Sequence, residues 1–518
     1  MPHVDLSTAN PADFGSRWDV CVIGAGPAGI AAATRLAQRG KRVVVLESGH
    51  AAPTTQAAAL NSIEAPAAGY DGALKGRHRG LGGTSDLWGG RLIALTRHDL
   101  TTRDYVGVPA WPIAYDDIYR YTRDVEILFD MPDRDFAQLP QGRPESLVSI
   151  GRIDGVECRL PKIVPFRNRN VYLQLAPEIA RNHNITVLSN ATAVDFDLTP
   201  EGNRIALIRA TGFHGRSVSI EADQCVFAAG TLESTRLLLL LARRANADAR
   251  STGPVGEHFV DHLAVNVGRV FRFTPNMIAY LIGHARTGGQ RHATHFELLP
   301  AAQRTGGIGS AYLCLRLDMK DEDVNVVRDH LRRRLNKSDA SLGATLASGR
   351  KLAHAAAWRL AHFDWLLPPS VEIHAEIRTE QLPAATSRIG LSESTDPFGV
   401  PRVKLDWRIL DSDVRTADQA LAIYRRMWEG HDLQSACQIE WSVPPDAPLR
   451  ESDFHDVFHP SGSTRMGSSR GDSVVNEQLL CHAFPNVRIL SPSVFPSSGS
   501  ANPMLTLLCL AYRMADQM

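Results

Sequence analysis

The sequence predicts an α/β protein in two parts: a mainly parallel-sheet domain assembled from separated stretches of chain, and an inserted α+β domain whose sheet is mainly antiparallel. Three observations carry this. A strand–turn–helix–strand unit stands at Asp19–Glu47, and a second glycine-rich turn follows at Gly80–Arg91. From about residue 263 to 450 the pattern changes to long strands with one helical insertion.

In Asp19-Val-Cys-Val-Ile-Gly24-Ala-Gly26-Pro-Ala-Gly29 an apolar strand runs through a turn into an alanine-rich helix, and Arg42-Val-Val-Val-Leu-Glu47 is a second buried strand that ends in an acid. Strand, turn, helix, strand and acid in register form the dinucleotide fingerprint of a Rossmann-like domain. Gly24 allows the tight turn, Gly26 lets the backbone approach a pyrophosphate, and Gly29 lets helix and strand pack closely. The free N–H groups of the helix N-terminus face the phosphates, and Glu47 is placed to hydrogen-bond a ribose.

Further along, Trp111–Tyr119 opens a helix with apolar positions recurring through Phe129 at helical spacing. Residues 131–165 are irregular and proline-bearing, which predicts an excursion into the second domain. Ile185–Leu188, Arg204–Ile208, Val218–Ile220 and Cys225–Phe227 read as strands returning to the first domain. Residues 322–364 read as two helices with several exposed cations. Val371–Glu380 alternates almost perfectly, with Val371, Ile373, Ala375 and Ile377 on one face and Glu372, His374, Glu376, Arg378 and Glu380 on the other. Met504–Met518 reads as a closing helix. The predicted division gives 1–130, 166–262 and 451–518 to the dinucleotide domain, 131–165 to the excursion, and 263–450 to the substrate domain.

The 518 residues, 44% of them hydrophobic, suffice for two sizeable cores. The 56 basic and 56 acidic side chains cancel, which argues against a nucleic-acid partner. Seven scattered cysteines, mostly in apolar stretches, read as small buried hydrophobes rather than disulfides or a metal site. The longest apolar run, Leu237–Ala242, is too short to span a bilayer. The N-terminus has no basic-then-apolar run of the secretory kind. The expectation is a cytoplasmic protein with no membrane span and no metal.

Several segments resemble glucose–methanol–choline (GMC) oxidoreductases. Gly80-Leu-Gly82-Gly83-Thr84-Ser85-Asp-Leu-Trp88-Gly89-Gly90-Arg91 is similar to the loop with which that family wraps the flavin diphosphate. His459-Pro-Ser-Gly462-Ser-Thr464-Arg-Met466-Gly467 resembles the catalytic-histidine segment, and Ser493–Thr506 the closing flavin segment. Shorter matches are Phe227–Ser234 and Val255–His262. The resemblance implies FAD, with contacts from Gly24, Gly26, Gly29, Glu47, Gly82, Gly83, Thr84, Ser85, Trp88, Gly89, Gly90, Val194, Gly230, Ser493, Val494, Asn502 and Pro503. Some relatives tether FAD through a histidine where this chain has Leu87, so the FAD is expected to be non-covalent. Many relatives also have an acid where this chain reads Leu490-Ser491-Pro492.

Oxidising an alcohol on a flavin needs a base for the hydroxyl proton, for which a neutral histidine is suited. The resemblance assigns that role to His459 and assigns Asn502 to orienting the substrate oxygen; a helix N-cap is the alternative for Asn502. His262, His455 and His482 are set aside. The expected partners are a small alcohol and an electron acceptor, oxygen or another. The polar face of 371–380 reads either as solvated or, through Glu372, His374 and Glu376, as a wall gripping hydroxyl or ammonium groups. Relatives of this kind include oxidases of the 6′-hydroxyl of paromamine-type aminoglycosides, the favoured substrate expectation. Alternatives are a pyranose or cyclitol secondary alcohol, and a flavin-bound lyase without redox turnover.

Overall fold

The computed structural model describes residues 3–65, 70–133, 155–283, 286–287, 289–319 and 371–518. The two helices predicted within 322–364, and most of the excursion at 131–165, lie outside these residues. The fold is a Rossmann-like α/β domain joined to an antiparallel-sheet domain.

The first core surrounds a six-stranded sheet in the order His3–Asp5, Ile185–Ser189, Val43–Leu46, Trp18–Ile23, Ala222–Phe227, Val487–Ile489. All its pairings are parallel, so both faces must be covered. Val43–Leu46 is accordingly buried at every position. The helix Pro27–Gln38 packs against the C-terminal helix Met504–Gln517, which buries eleven consecutive residues from Leu505 to Ala515. Two predicted strands depart from expectation: Ile205–Thr211 and Ser217–Ile220 join Thr192–Leu198 in a separate antiparallel sheet. Their alternating burial marks a sheet with one covered face, unlike the solid apolar runs of the parallel sheet.

The second core lies between a seven-stranded antiparallel sheet and the helix Asp411–Glu429. The sheet runs Cys437–Trp441, Leu263–Phe273, Val371–Thr379, Ala311–Met319, His295–Leu298, Val156–Arg159, with Phe454–Asp456 added at Leu263–Phe273. Ile373, Ala375 and Ile377 face this core as the alternation predicts. A small sheet, Arg286–Thr287, Gln290–His292, Lys162–Ile163, Arg91–Leu92, continues the second glycine turn toward the substrate domain. All seven cysteines are free, and six of them are buried. Among the described residues no helix is long and apolar enough to cross a membrane.

Gly24 and Gly29 at the first turn have no room for a side chain. A Cβ on Gly24, whose φ is 109°, would stand 2.6 Å from the Ala228 carbonyl oxygen, and one on Gly29 would collide with the carbonyl of Gly24. Gly29→Ala should therefore cost about 1–3 kcal/mol through overpacking. The expected result is a lower urea midpoint together with reduced FAD content in the purified protein.

Candidate active site

A cavity of about 940 Å³ lies between the two glycine turns, the small sheet and the C-terminal segment. This is at the upper end of the range for ligand and cofactor sites, roughly 300–1,000 Å³. Gly24, Gly26 and Pro27 of the first turn and Gly83, Thr84, Leu87, Trp88 and Gly89 of the second line it, with Glu47, Gly230, Asn502 and Pro503. The turns meet so closely that a Cβ on Gly83 would stand 2.8 Å from Gly26 Cα. Three buried polar atoms on its lining residues have no hydrogen-bond partner among the described residues: His78 Nε2, Thr192 Oγ1 and Asn502 Oδ1. Leaving such atoms unpaired costs about 1–3 kcal/mol each, so the cradle fits a polar ligand with its own donors and acceptors. FAD meets that description.

Seven expected cofactor residues do not line the cavity: Gly29, Gly82, Ser85, Gly90, Val194, Ser493 and Val494. Most of them hold the lining in place instead. Ser85 Oγ donates to Gly82 O at 2.5 Å and accepts from Val171 N at 3.1 Å. Gly82 and Gly90 take positive φ, where a Cβ would strike Asn170 and Arg169. Thr192 and Ala193 face the cavity where Val194 was expected. Ser493 shares 2.6 Å hydrogen bonds with Thr464 and Ser491, and Leu490, Ser491 and Pro492, the stretch where many relatives were expected to carry an acid, line the cavity. Glu47 accepts from Ala25 N and Gly49 N, both at 2.9 Å. Its carboxylate thus ties the first turn to the end of the second strand while also lining the cavity.

At the other end stands His459, brought there by a loop whose backbone is anchored on the inserted sheet. Asp261 Oδ1 accepts from His459 N at 2.8 Å, and Tyr70 donates to the second Asp261 oxygen at 3.0 Å. The His459 ring then meets two groups. Its Nδ1 lies 3.0 Å from Nδ1 of His262, and its Nε2 lies 3.3 Å from Asn502 Nδ2. His262 Nε2 is 2.7 Å from the carbonyl oxygen of Gly499.

A carbonyl only accepts, so with both rings neutral the tautomers follow in sequence. His262 Nε2–H donates to Gly499 O, and His262 Nδ1 accepts from His459 Nδ1–H. His459 Nε2 is left with its lone pair toward Asn502 and the cavity. Both rings are held neutral: burial pushes His262 down to about 4, and burial with His262, Arg378 and Arg91 nearby pushes His459 well below its ordinary value. The Asn502 side chain makes no cap hydrogen bond to the helix beginning at Met504. His262, set aside in the sequence, is therefore in contact with His459. The signal was present in Asp261-His262, the end of one of the shorter matching segments. His455 and His482 belong to other networks, with Glu376 and Ser473 respectively.

The 371–380 strand corrects the expectation for its polar face. Glu372, His374 and Glu376 do not line the cavity; Arg378 does. Nor is this face solvated throughout, since Glu376 and Glu380 are both 0% exposed. Burial raises the Glu376 carboxyl, but Arg378 at 2.6 Å and Arg316 at 2.9 Å outweigh it and leave it below its ordinary value. Glu380 pairs with buried Arg103, and Glu372 and His374 pair with each other at 3.4 Å.

Residues 19–147 match the family model described as FAD dependent oxidoreductase, and residues 383–511 match that described as GMC oxidoreductase. The chain thus carries an FAD-dependent oxidoreductase domain and a GMC oxidoreductase C-terminal domain, and FAD is the cofactor of such a domain. It is 26% identical over 334 residues to the fructose dehydrogenase large subunit of Gluconobacter japonicus, covering 64% of this chain and 53% of that one. It is 22% identical over 307 residues to 2-methyl-1,2-propanediol dehydrogenase of Mycolicibacterium austroafricanum, covering 58% and 49%. These matches span about half the length of the curated relatives. Pyridoxine 4-oxidase from Mesorbium loti has the same fold, with a TM-score of 0.61, 16% identity and coverage of 96% of this chain and 99% of that one. Formate oxidase of Aspergillus oryzae gives 0.61 and 16%, with 98% of each chain covered.

The buried neutral histidines carry a consequence for stability. Unfolded histidines take up protons near 6.5, whereas His262 resists until about 4. The unfolded chain therefore binds more protons between these values, and stability is lost as the pH falls through that window. Urea denaturation should show stability holding above pH 6.5 and declining toward pH 4. His262→Gln, which keeps a donor for Gly499 O, should make that decline shallower.

Proposed function

We propose that this enzyme oxidises a hydroxyl group of a small, carbohydrate-like alcohol to a carbonyl. The observation that supports it is His459 Nε2, unprotonated and directed beside Asn502 at the end of a cavity that both glycine turns enter. Bound FAD supplies the hydride acceptor. His459 Nε2 takes the hydroxyl proton, and Asn502 Nδ2, already within reach of Nε2, holds the substrate oxygen. His262 keeps the lone pair on the correct nitrogen of His459, because its own proton is committed to Gly499 O.

Sugar- and diol-acting relatives are consistent with a polyhydroxylated substrate. A paromamine-type aminoglycoside has less support, since the carboxylates expected to grip its ammonium groups do not reach the cavity. The cofactor is proposed to be non-covalent, because Leu87 offers no tethering atom.

The test is anaerobic mixing of the yellow holoenzyme with a panel of sugars, polyols and hydroxy acids. A substrate should abolish the oxidised flavin's visible absorption, and His459→Ala should retain FAD but slow this by about 10²–10⁴-fold. Acid precipitation should release the FAD into the supernatant. Conversion of an added alcohol with no change in the flavin spectrum would identify a lyase instead.

A further inference from the structure

The loop that carries His459 is a bulge, and one buried carboxylate fills the gap it leaves. The strand Leu263–Phe273 pairs with Phe454–Asp456 in steady antiparallel register, Val265 opposite Phe454 and Leu263 opposite Asp456. The pairing continues one step further, with Val457 N donating to His262 O at 3.3 Å. It resumes at Val260 and Ser461, which exchange both backbone hydrogen bonds, at 3.0 and 2.8 Å. Between these points Asp261 alone faces Phe458, His459 and Pro460. Bulges of this kind break a ladder locally and re-aim side chains beside active sites.

The arched residues need a hold that the ladder does not give. Pro460 has no N–H to donate, and Phe458 takes a φ of 65°, in the left-handed region that bulky residues avoid. Such conformations persist where the surroundings fix them. Here the Asp261 side chain stands in for the missing ladder, its Oδ1 accepting from His459 N at 2.8 Å. The carboxylate is itself fixed, being fully buried, with Tyr70 donating to Oδ2 at 3.0 Å and Asp261 N donating to Gln381 Oε1 at 3.1 Å. The Tyr70 ring packs against Phe259 and Trp407, with centroids 5.7 and 4.9 Å away, and Trp407 Nε1 donates to the same Gln381 oxygen at 2.7 Å. The next residue, His262, meets the His459 ring at 3.0 Å. Consecutive residues thus hold His459 at two points, backbone and ring, which sets both its place and the direction of Nε2.

We infer that Asp261, oriented by Tyr70, is a positioning residue for proton abstraction: as the acceptor for His459 N it sets where the base stands. The inference rests on the reading of His459 as the base. Asp261 does not line the cavity, so it acts through His459 and not on substrate. A base displaced by about 1 Å loses on the order of a hundredfold in rate, so the brace shows in the rate of the chemical step rather than in binding. What the bulge needs is an acceptor oxygen at Oδ1. Asparagine supplies one, and its amide donates to the Tyr70 oxygen in exchange; alanine supplies none.

The test uses FAD-loaded Asp261→Ala, Asp261→Asn, Tyr70→Phe and His459→Ala, with two measurements. Amide hydrogen exchange read by mass spectrometry needs no substrate. The peptide carrying His459 should exchange about tenfold faster in Asp261→Ala and within about threefold of wild type in Asp261→Asn. Anaerobic flavin reduction is then followed against the concentration of whichever of glucose, fructose, glucitol and glycerol reduces the wild type fastest. Asp261→Ala should lower the limiting rate by about 10–100-fold while the half-saturating concentration stays put. Asp261→Asn should recover most of that rate, and Tyr70→Phe should lie between the two. Unaltered exchange in Asp261→Ala, or a wild-type limiting rate per bound flavin, would overturn the inference. An Asp261→Asn as slow as Asp261→Ala would overturn it as well, because the acceptor would then not be what counts. If Asp261→Ala does not retain FAD, Tyr70→Phe decides, and wild-type exchange and rate in that variant would overturn the inference. Should none of the four alcohols reduce the wild type, exchange alone decides. Faster exchange in Asp261→Ala with flavin reduction undiminished in His459→Ala would support the brace while removing the role given to His459.

Discussion

The segment from Ser491 to Pro503 is irregular and almost wholly buried, and the site is built on the way its polar groups are satisfied. A buried stretch whose regular structure is limited to one short 3-10 turn, Pro492–Val494, must find partners for its remaining N–H, C=O and hydroxyl groups, or lose more than it gains by packing. Here the partners come from both domains. Ser493 joins Thr464 in the histidine loop. Ser497 accepts from Trp111 Nε1 at 3.1 Å, and Ser500 donates to Glu297 of the antiparallel sheet at 3.0 Å. Gly499 offers its carbonyl to His262. The segment therefore fastens the two cores to one another and delivers Asn502 to the cavity in the same stroke.

That carbonyl also decides the chemistry two residues removed from it. Because Gly499 O can only accept, a single backbone atom assigns the protons of two histidines that meet edge to face and leaves the lone pair of His459 toward Asn502 and the cavity. Charge works in the same direction. Burial penalises an imidazolium at His459, and His262 and the arginines near it penalise it further, so the ring stays neutral. The same positive field favours an oxygen that is losing its proton. A neutral base and a positive surround are thus complementary parts of one arrangement.

Much of the first core was legible in the chain. Its signals are local: solid apolar strands, a turn in which Gly24 and Gly29 have no room for Cβ, and an acid at the end of the second strand. His459 and Asn502 were legible through resemblance, and the structure brings them within 3.3 Å across 43 positions of sequence. His262 was set aside because most of the nineteen histidines are expected to be surface or satisfied core residues. Its pairing with His459 depends on a loop fold that no local pattern records. The residues expected to touch the cofactor and found behind the lining, such as Ser85 and Ser493, show the limit of a motif. A motif names the residues that build a surface without distinguishing those that face outward from those that brace it.

The strand 371–380 shows the same limit in periodicity. Alternation assigns each residue to a face, and that assignment holds: Ile373, Ala375 and Ile377 are in the second core. What covers the opposite face is set by tertiary packing, and here it changes along nine residues. Near Glu372 and His374 the face is only half-covered; at Glu376 it is sealed by two arginines, at Arg378 it opens on the cavity, and at Glu380 it closes again over Arg103. The acids on this face are neutralised before they reach the cavity, and the group that emerges is a cation. A pattern that reads as acidic in sequence is therefore basic at the one point where it lines the cavity, because the buried acids are paired with cations and Arg378, itself paired with Glu376, is the member of the strand that reaches the cavity wall.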